Sequence, residues 1–304
     1  MCSDMIARTK NAAANVAAMS LMLLAATGCV GSSAAESDDG ALEIRADLRA
    51  GELAEQDGVR VIVPEPGSGV FAEVIAADGS MHTLELETQL DGTVVEHLAD
   101  TASGSRSNPP ACSDGAFNLA SYHWSETLHW RFKASTTPAS LNTAAVEDAL
   151  VAGTTNITTS RNDCGLSDTV TATQHYDGTT STGPNIHDNG TCGSADGLSV
   201  VAFGALPDAA LGVTCTWYSQ GVALETDIRL NRGDHAWYTT KPLGCSNRFD
   251  LQGVMTHERG HSFGLAHVSE ASHGALTMST AIGPCDNSAR TLGLGDVRGL
   301  REKY

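Results

Sequence analysis

Basic residues are scarce in this chain. Its 304 residues include 18 Lys and Arg against 36 Asp and Glu, which gives a formal net charge of −18 at pH 7. A protein that binds nucleic acid presents a basic surface to the phosphates, so this balance argues against nucleic acid as a partner. The acidic excess is instead compatible with a solvated, exported protein.

Aromatic residues and long apolar runs are also rare. Aromatic side chains make up 5% of the sequence, while 31 glycines favour a fold rich in loops. The apolar stretch over residues 16–26 is too short to span a bilayer. Because Arg8 and Lys10 precede it, we predict an export signal peptide over residues 1–28.

The end of this leader leaves two alternatives. Residues 26–29, Ala-Thr-Gly-Cys, resemble a bacterial lipoprotein cleavage box, which would make Cys29 the lipidated first residue and anchor the protein to a membrane. The first position of such a box is usually leucine, and ordinary signal cleavage nearby is the alternative. Both alternatives predict an exported protein, either extracellular or a cell-surface lipoprotein, and we expect a monomer.

Cys-x-x-Cys pairs are absent, which disfavours a metal site built from thiolates. Two of the eight cysteines, Cys2 and Cys29, lie in the leader. An even set in an exported domain predicts three disulfides, with the pairing left open. The six cysteines that would form them are Cys112, Cys164, Cys192, Cys215, Cys245 and Cys285.

Residues 29–110 are predicted to form an acidic unit that ends in a linker. Apolar residues alternate with polar ones or follow one another, as is typical of β-strands, over residues 58–63, 70–75, 82–88 and 93–97. The pairs that would form turns between them are Pro66-Gly67, Asp78-Gly79 and Asp91-Gly92. We interpret this unit as a small antiparallel β unit, either a propeptide or an accessory domain. Residues 101–110 are rich in Ser, Ala, Asn and Pro, so proteolytic maturation is expected there.

Residues 257–267 read His-Glu-Arg-Gly-His-Ser-Phe-Gly-Leu-Ala-His and concentrate the metal-binding side chains. On a helix, His257 and His261 lie one turn apart on the same face, so both imidazoles can reach one point. Gly264 can adopt backbone angles closed to other residues, so we expect the helix to stop there and the turn to bring in His267. Three nitrogen ligands and an open fourth position describe one catalytic zinc ion.

Glu258 follows the first ligand and would project toward the same ion. A carboxylate there can take a proton from the zinc-activated water that attacks a scissile carbonyl, and can pass it to the leaving amine. The sequence therefore predicts a zinc-dependent endopeptidase with protein or peptide substrates. Two rival functions are a zinc-binding surface protein that has lost catalysis and an amidase that acts on cell-wall peptides. The intact Glu258 argues against the first.

The motif His-Glu-x-x-His-x-x-Gly-x-x-His resembles the signature of the metzincin zinc peptidases. Residues 276–279, Leu-Thr-Met-Ser, are similar to their methionine turn, so Met278 would pack beneath the histidines, and a generic core methionine is the alternative. Within the metzincins the chain looks most like the matrixins, the matrix metalloproteinase group, in a bacterial form. Residues 249–254 are similar to the matrixin lead-in, and residues 294–300 resemble the closing helix. Arg259 departs from the family, which usually has an apolar residue there. Val268 departs from the matrixins, which usually have serine.

The resemblance implies an α+β metzincin catalytic domain over residues 111–304. It would combine a twisted mixed β-sheet, an edge strand over the cleft, an active-site helix capped by Asp250 and a C-terminal helix, after the small antiparallel β unit. Strands are predicted at 130–133, 198–206, 211–218 and 222–230, and a helix from Pro138 to Ala152. By resemblance, residues 211–218 form the edge strand that would pair with an extended substrate. Gly212 and Val213 are the candidates for that cleft wall, with simple packing as the alternative.

Matrixins also bind a structural zinc ion and calcium in loops comparable to residues 153–197. Titratable residues are dispersed through this stretch, but the carboxylates do not reproduce the matrixin spacing. A structural Ca²⁺ site and simple Asp-Gly and Asn-Gly turns are the two interpretations. The residues concerned are Asp163, His175, Asp177, His187 and Asp188.

Matrixin propeptides keep the enzyme latent with a cysteine on the zinc, within Pro-Arg-Cys-Gly. The nearest match, Pro109-Pro110-Ala111-Cys112, lacks the arginine and the glycine. We therefore expect Cys112 in a disulfide, and any zymogen latency must work in another way. A bond between Cys245 and Cys285 would pin the loop that, by resemblance, lines the substrate pocket.

Overall fold

Runs of apolar and β-branched residues form the strands of a large mixed sheet. In a computed structural model of the chain, the described residues are 41–76, 81–98, 108–207 and 210–304. The strands are β1 (Leu42–Ile44), β2 (Leu53–Gln56), β3 (Val59–Ile62), β4 (Ser68–Ala76), β5 (Met81–Thr88), β6 (Val94–His97), β7 (Asn118–Leu119), β8 (Leu128–Phe132), β9 (Gln174–Thr179), β10 (Ser199–Gly204), β11 (Ala210–Ser219), β12 (Val222–Asn231), β13 (Trp237–Tyr238), β14 (Phe249–Asp250) and β15 (Leu265–Ala266). The helices are α1 (Thr143–Thr158), α2 (Leu251–Ser262), α3 (Glu270–His273) and α4 (Leu294–Lys303), with 3₁₀ turns at Ala134–Thr136 and Ser288–Arg290.

Nine of these strands form one sheet in the order β1-β6-β5-β4-β11-β12-β10-β8-β9. Neighbours run antiparallel from β1 to β12 and parallel from β12 to β9. The other described ladders have two strands each: β2 with β3, β7 with β15, and β13 with β14. A mixed sheet with few helices confirms the predicted α+β class.

β11 is an interior strand, and the prediction that it forms the edge of the sheet was wrong for this chain. β4 pairs with it antiparallel, from Ala210 opposite Ala76 to Tyr218 opposite Gly69. β4 is buried on both faces along most of its length, which suits a central strand better than an edge strand. The strands of residues 41–98, hereafter the N-terminal segment, therefore continue the sheet, and Gly40–Tyr304 form one compact unit.

Two hydrophobic clusters stabilise this sheet. The first packs β8, β10 and β12 against α1, α2 and α4, with Phe132, Leu150 and Val254 among its buried residues. The second joins the N-terminal segment to β11, because Val61 and Val70 share it with Val213, Trp217 and their neighbours. Burial of an aliphatic side chain contributes about 1.5–3 kcal/mol, so the second cluster holds the N-terminal segment firmly on β11.

Helix α1 begins later than the sequence predicted. Asn142 is its N-cap, and the Asn142 side chain accepts a hydrogen bond from Ala145 N at 3.1 Å. Pro138 instead opens a turn, in which Leu141 N donates to Pro138 O. An asparagine side chain can satisfy a free amide at the start of a helix and proline cannot, so the cap determines the boundary.

The structure confirms the three predicted disulfides as Cys112–Cys164, Cys192–Cys215 and Cys245–Cys285. Cys112 is therefore paired away from any metal, and the bond between Cys245 and Cys285 forms as expected. Three disulfides are typical of an oxidising, extracellular environment. No helix in the described part of the chain is long and apolar enough to cross a membrane. The predicted signal peptide, Cys29, the turn at Asp78-Gly79 and most of the linker lie outside the described residues.

Candidate metal centre

Two interactions of Asp250 fix the start of helix α2. The Asp250 carboxylate accepts a hydrogen bond from Gly253 N at 3.2 Å, which confirms the predicted N-cap. Arg290 binds the same carboxylate through Nε and Nη2, each at 2.6 Å. The helix that starts there buries His257, Glu258 and His261 completely.

The turn after α2 brings in the third histidine. Gly264 has φ +82°, and a Cβ there would lie 2.5 Å from Tyr122 O, so both the backbone angle and the space require glycine. Strand β15 then pairs with β7, and Asn118 Nδ2 donates to His267 O at 2.7 Å. His267 thereby reaches the two helical histidines, as the sequence predicted.

The ε nitrogens of the three histidines converge on one point. His257 Nε2 lies 3.0 Å from His267 Nε2 and 3.1 Å from His261 Nε2. Two nitrogens bound to one tetrahedral zinc ion are about 3.3 Å apart, so this spacing fits ligands of a single ion. His257 Nδ1 donates to Thr277 O at 2.7 Å and His261 Nδ1 to Leu265 O at 2.9 Å, which leaves both Nε2 lone pairs directed at the centre.

Burial keeps these imidazoles in the form that binds a metal. Burial lowers the pKa of His257 to about 4. Burial, together with the neighbouring rings, also lowers the pKa of His261 and of His267 well below the usual value. All three rings are therefore neutral at physiological pH, and a neutral imidazole is the metal-binding form.

A fourth member of the group, Glu73 on β4, was missed by the sequence analysis. Its Oε1 lies 3.6 Å from His267 Nε2 and its Oε2 lies 3.8 Å from His261 Nε2. The side chain is fully buried next to Glu258, and neither of its oxygens accepts a hydrogen bond from an amide, hydroxyl or basic side chain in the described part of the chain. Burying a carboxylate without a partner is costly, and a bound cation would offset that cost. Glu73 and the three histidines could therefore hold a metal ion.

Glu258 lies beside this group. Thr214 Oγ1 on β11 donates to Glu258 Oε2, whereas Glu258 Oε1 is buried and has no hydrogen-bond donor among the residues that the structure describes. Burial raises the pKa of Glu258 above its usual range. A Cβ on Gly212 would lie 2.4 Å from Glu258 Oε1, so the glycine leaves room for the carboxylate. Of the two residues proposed for the cleft wall, Gly212 thus lies at the centre and Val213 packs in the second hydrophobic cluster.

Met278 packs directly beneath the ligand helix. It is buried, and a Cβ on Gly260 would lie 2.2 Å from its sulfur. Asp296 of α4 fixes the turn that carries it by accepting hydrogen bonds from Thr277 N at 2.9 Å and Met278 N at 3.1 Å. Because Thr277 O holds His257 Nδ1, Asp296 positions a ligand without touching the metal centre.

Replacing Asp296 with asparagine is expected to weaken metal binding. The amide keeps one acceptor oxygen in place of two, so at least one backbone amide of the turn is left unpaired and His257 is held less well. Partners of this kind typically change metal affinity about 10–100-fold. Competition with a chromophoric chelator measures the affinity, and an unchanged affinity in a folded Asp296→Asn chain would show that the turn does not position His257.

Arg259 stands where the metzincin family usually has an apolar residue, and here it packs between secondary-structure elements. It is fully buried, with its guanidinium 4.7 Å from the centre of the Trp130 ring and Nε donating to Thr154 Oγ1 at 3.2 Å. Burial lowers its pKa to about 9. Arg259 thus joins α2 to α1 and β8 through a cation–π contact and a hydrogen bond.

A second group on the surface of β8 and β9 could also hold a metal ion. The Nδ1 atoms of His129 and His175 lie 3.0 Å and 2.7 Å from Asp177 Oδ1. Both histidines are more than half exposed, and Arg131 Nη2 lies 3.6 Å from Asp177 Oδ2. Arg131 therefore competes with a cation for the only carboxylate of this group.

The other acids of residues 153–197 have separate partners. Asp163 accepts a hydrogen bond from Thr291 Oγ1 at 3.0 Å, and Asp188 pairs with Arg229 at 2.6 Å. In the described loops these carboxylates do not share one calcium-type site.

Comparison of the sequence with protein-family models and with curated proteins finds no match.

Proposed function

We propose that this protein is a zinc-dependent endopeptidase. His257, His261 and His267 are its zinc ligands, and Glu258 is its general base. The observation that carries the proposal is the convergence of three neutral ε nitrogens beside a buried carboxylate that has an unpartnered oxygen. A set of three imidazoles favours zinc over calcium and magnesium, because those two cations prefer oxygen ligands.

The chain's own residues supply the proton chemistry. Zinc bound to the three histidines would polarise a scissile carbonyl and lower the pKa of a bound water. Glu258 accepts the proton of the attacking water at Oε1 and delivers it to the nitrogen of the leaving amine. Its raised pKa suits both steps, since a carboxylate titrating nearer to neutral pH can accept and release a proton. Thr214 orients the carboxylate through Oε2.

We also infer that the protein is exported, with a signal peptide over residues 1–28 and with lipidation at Cys29 or ordinary cleavage nearby as the two alternatives for its end. The three disulfides support an oxidising destination. Intact-mass analysis of protein extracted from a bacterial host tests the lipid anchor, because a lipidated chain begins at Cys29 and carries the added mass of acyl chains.

Gly212→Ala is expected to reduce peptide hydrolysis about 100-fold, with metal content unchanged. The added methyl group would displace the Glu258 carboxylate, and a shift of about 1 Å in a catalytic group costs about that factor. Val213→Ala is the matched control, because the Val213 side chain packs in the second cluster on the other face of β11. If both variants retain full activity, Gly212 does not make room for the base.

The experiment that tests the proposal is hydrolysis of a quenched fluorescent peptide mixture, with and without a zinc chelator. Residues 30–304 are assayed intact and after cleavage within residues 99–107. Both forms are also incubated with purified peptidoglycan as an alternative substrate. Chelator-sensitive cleavage of peptides by either form supports the endopeptidase. Release of products from peptidoglycan alone would favour an amidase. No hydrolysis by either form, with one zinc bound per chain, would favour a metal-binding protein without catalysis.

A further inference from the structure

We propose that the N-terminal segment keeps the metal centre latent by two contacts: β4 occupies the edge of β11, and Glu73 takes the fourth coordination position. This inference rests on the proposed peptidase function and assigns its regulation. It replaces the expected cysteine mechanism, because Cys112 is bonded to Cys164.

The first contact is the pairing of β4 with β11. An extended peptide binds a sheet by adding a strand to an open edge, through backbone hydrogen bonds that do not depend on its sequence. β11 carries Gly212 and Thr214, which adjoin Glu258, so its edge is where a substrate would have to lie. In the intact chain β4 pairs with β11 almost from end to end, and no peptide can pair there at the same time.

The second contact follows from the register of this pairing. Glu73 lies directly opposite Thr214, the residue that holds the general base. Side chains alternate along β4, so Phe71 and Glu73 point to the same face. The Phe71 ring is 5.6 Å from that of His261, and the Glu73 carboxylate lies between 3.6 and 3.8 Å from two ligand nitrogens.

The surroundings of Glu73 favour a cation at this position. The side chain is fully buried next to Glu258, and neither of its oxygens accepts a hydrogen bond from an amide, hydroxyl or basic side chain of the described residues. Among the described residues, neither lysine nor arginine forms an ion pair with Glu73, and the side chains within ion-pair distance of it are His261 and His267. A metal ion bound by the three histidines and by one Glu73 oxygen would compensate the buried carboxylate charge.

Three histidines and one carboxylate complete a tetrahedral zinc site. A site with four protein ligands is closed, whereas catalysis needs one position for water or substrate. The intact chain would therefore lack both the open position and the open strand edge. Cleavage within residues 99–107, followed by release of the segment, would restore both at once. The second hydrophobic cluster explains why the segment stays in place until then.

Two variants of residues 30–304 test the proposal: Glu73→Ala and Glu73→Gln. The control is Glu96→Gln, which removes another buried carboxylate of the same segment, one that pairs with Arg45 at 2.8 Å. Each uncut chain is loaded with Co²⁺ for its visible spectrum and with Zn²⁺ for hydrolysis of the peptide mixture. Wild-type chain cut at an inserted protease site within residues 99–107, freed of the released segment and shown by near-ultraviolet circular dichroism to stay folded, provides the open reference.

The expected result has two parts. The cobalt bands of both Glu73 variants shift toward those of the open reference, while Glu96→Gln keeps the wild-type bands. Uncut Glu73 variants hydrolyse peptides about tenfold faster than uncut wild type. The N-terminal segment acts as a tethered inhibitor at an effective concentration of about millimolar. Loss of the Glu73 ligand weakens its binding to the metal centre by at least about 1.4 kcal/mol, which corresponds to that factor of ten.

Cobalt bands unchanged by Glu73→Ala would overturn the assignment of Glu73 as a ligand. Uncut wild type that is as active as the open reference would overturn latency. If the bands shift but the open reference hydrolyses nothing, the peptidase function and its latency both fail. Glu73 then stands as the fourth ligand of a closed metal centre.

Discussion

Replacing Glu258 with glutamine is expected to abolish peptide hydrolysis while the chain still binds one zinc ion. The amide keeps the size of the side chain and can still accept a hydrogen bond from Thr214, but it cannot accept a proton from the attacking water. General-base catalysis contributes about 10²–10⁴ to the rate, so kcat is expected to fall by that factor. The assay uses chain cut within residues 99–107, with zinc content measured on the same samples.

Glu147→Gln is the matched control for this substitution. Glu147 lies on α1 and accepts a hydrogen bond from Tyr176 at 2.8 Å, so the change removes a carboxylate without reaching the metal centre. Its activity should equal that of the unsubstituted chain. A Glu258→Gln chain that hydrolyses peptides at a comparable rate would contradict the assignment of the base.

Removing the metal is expected to lower the melting temperature of residues 30–304 by about 10 °C. Zinc present at about 1,000 times its dissociation constant stabilises the folded chain by about 4 kcal/mol. In a domain of this size, each kcal/mol changes the melting temperature by about 2–4 °C. Added Zn²⁺ should restore the melting temperature, because the ion binds the folded chain and compensates the buried Glu73 carboxylate.

Two variants locate this effect. His261→Ala removes one ligand of the buried centre and should make the melting temperature insensitive to the chelator. His175→Ala removes a member of the exposed group on β9 and should leave the chelator effect intact. The opposite pattern would place the stabilising metal on the surface of the sheet and would contradict the buried centre.

The three histidines and the N-cap of α2 could be predicted because they depend on local structure. Helical spacing places His257 and His261 on one face, and Gly264 supplies the left-handed backbone that returns His267 to them. The disulfide partnership of Cys112 could likewise be anticipated from an even cysteine count. These inferences use residues that are close in sequence or a count of one residue type. None of them requires knowledge of the tertiary structure.

The role of β4 could not be predicted in the same way. The apolar pattern of Ser68–Ala76 identified it as a strand, but it did not identify the strand that pairs with it. That partner lies more than 130 residues later in the chain. The resemblance to a family with a free edge strand led to the wrong prediction for β11. The available signal was Glu73 itself, a single acid within residues 70–75, where a buried strand would otherwise be apolar.

Asp296 and Thr214 were missed for a related reason. Asp296 acts through the backbone amides of Thr277 and Met278, and Thr214 through one oxygen of Glu258. A side chain that positions another residue across the fold has no fixed spacing from the motif that it supports, so the sequence does not single it out.

The most direct test of the account is a zinc titration of metal-free chain cut within residues 99–107, with peptide hydrolysis measured at each step. Activity is expected to rise in proportion to added zinc and to stop rising at one ion per chain. The Glu258→Gln chain is expected to bind the same single ion without activity. Hydrolysis that persists in the metal-free chain would contradict the account. So would full binding of one zinc with no hydrolysis by the cut chain or by the uncut Glu73→Ala chain.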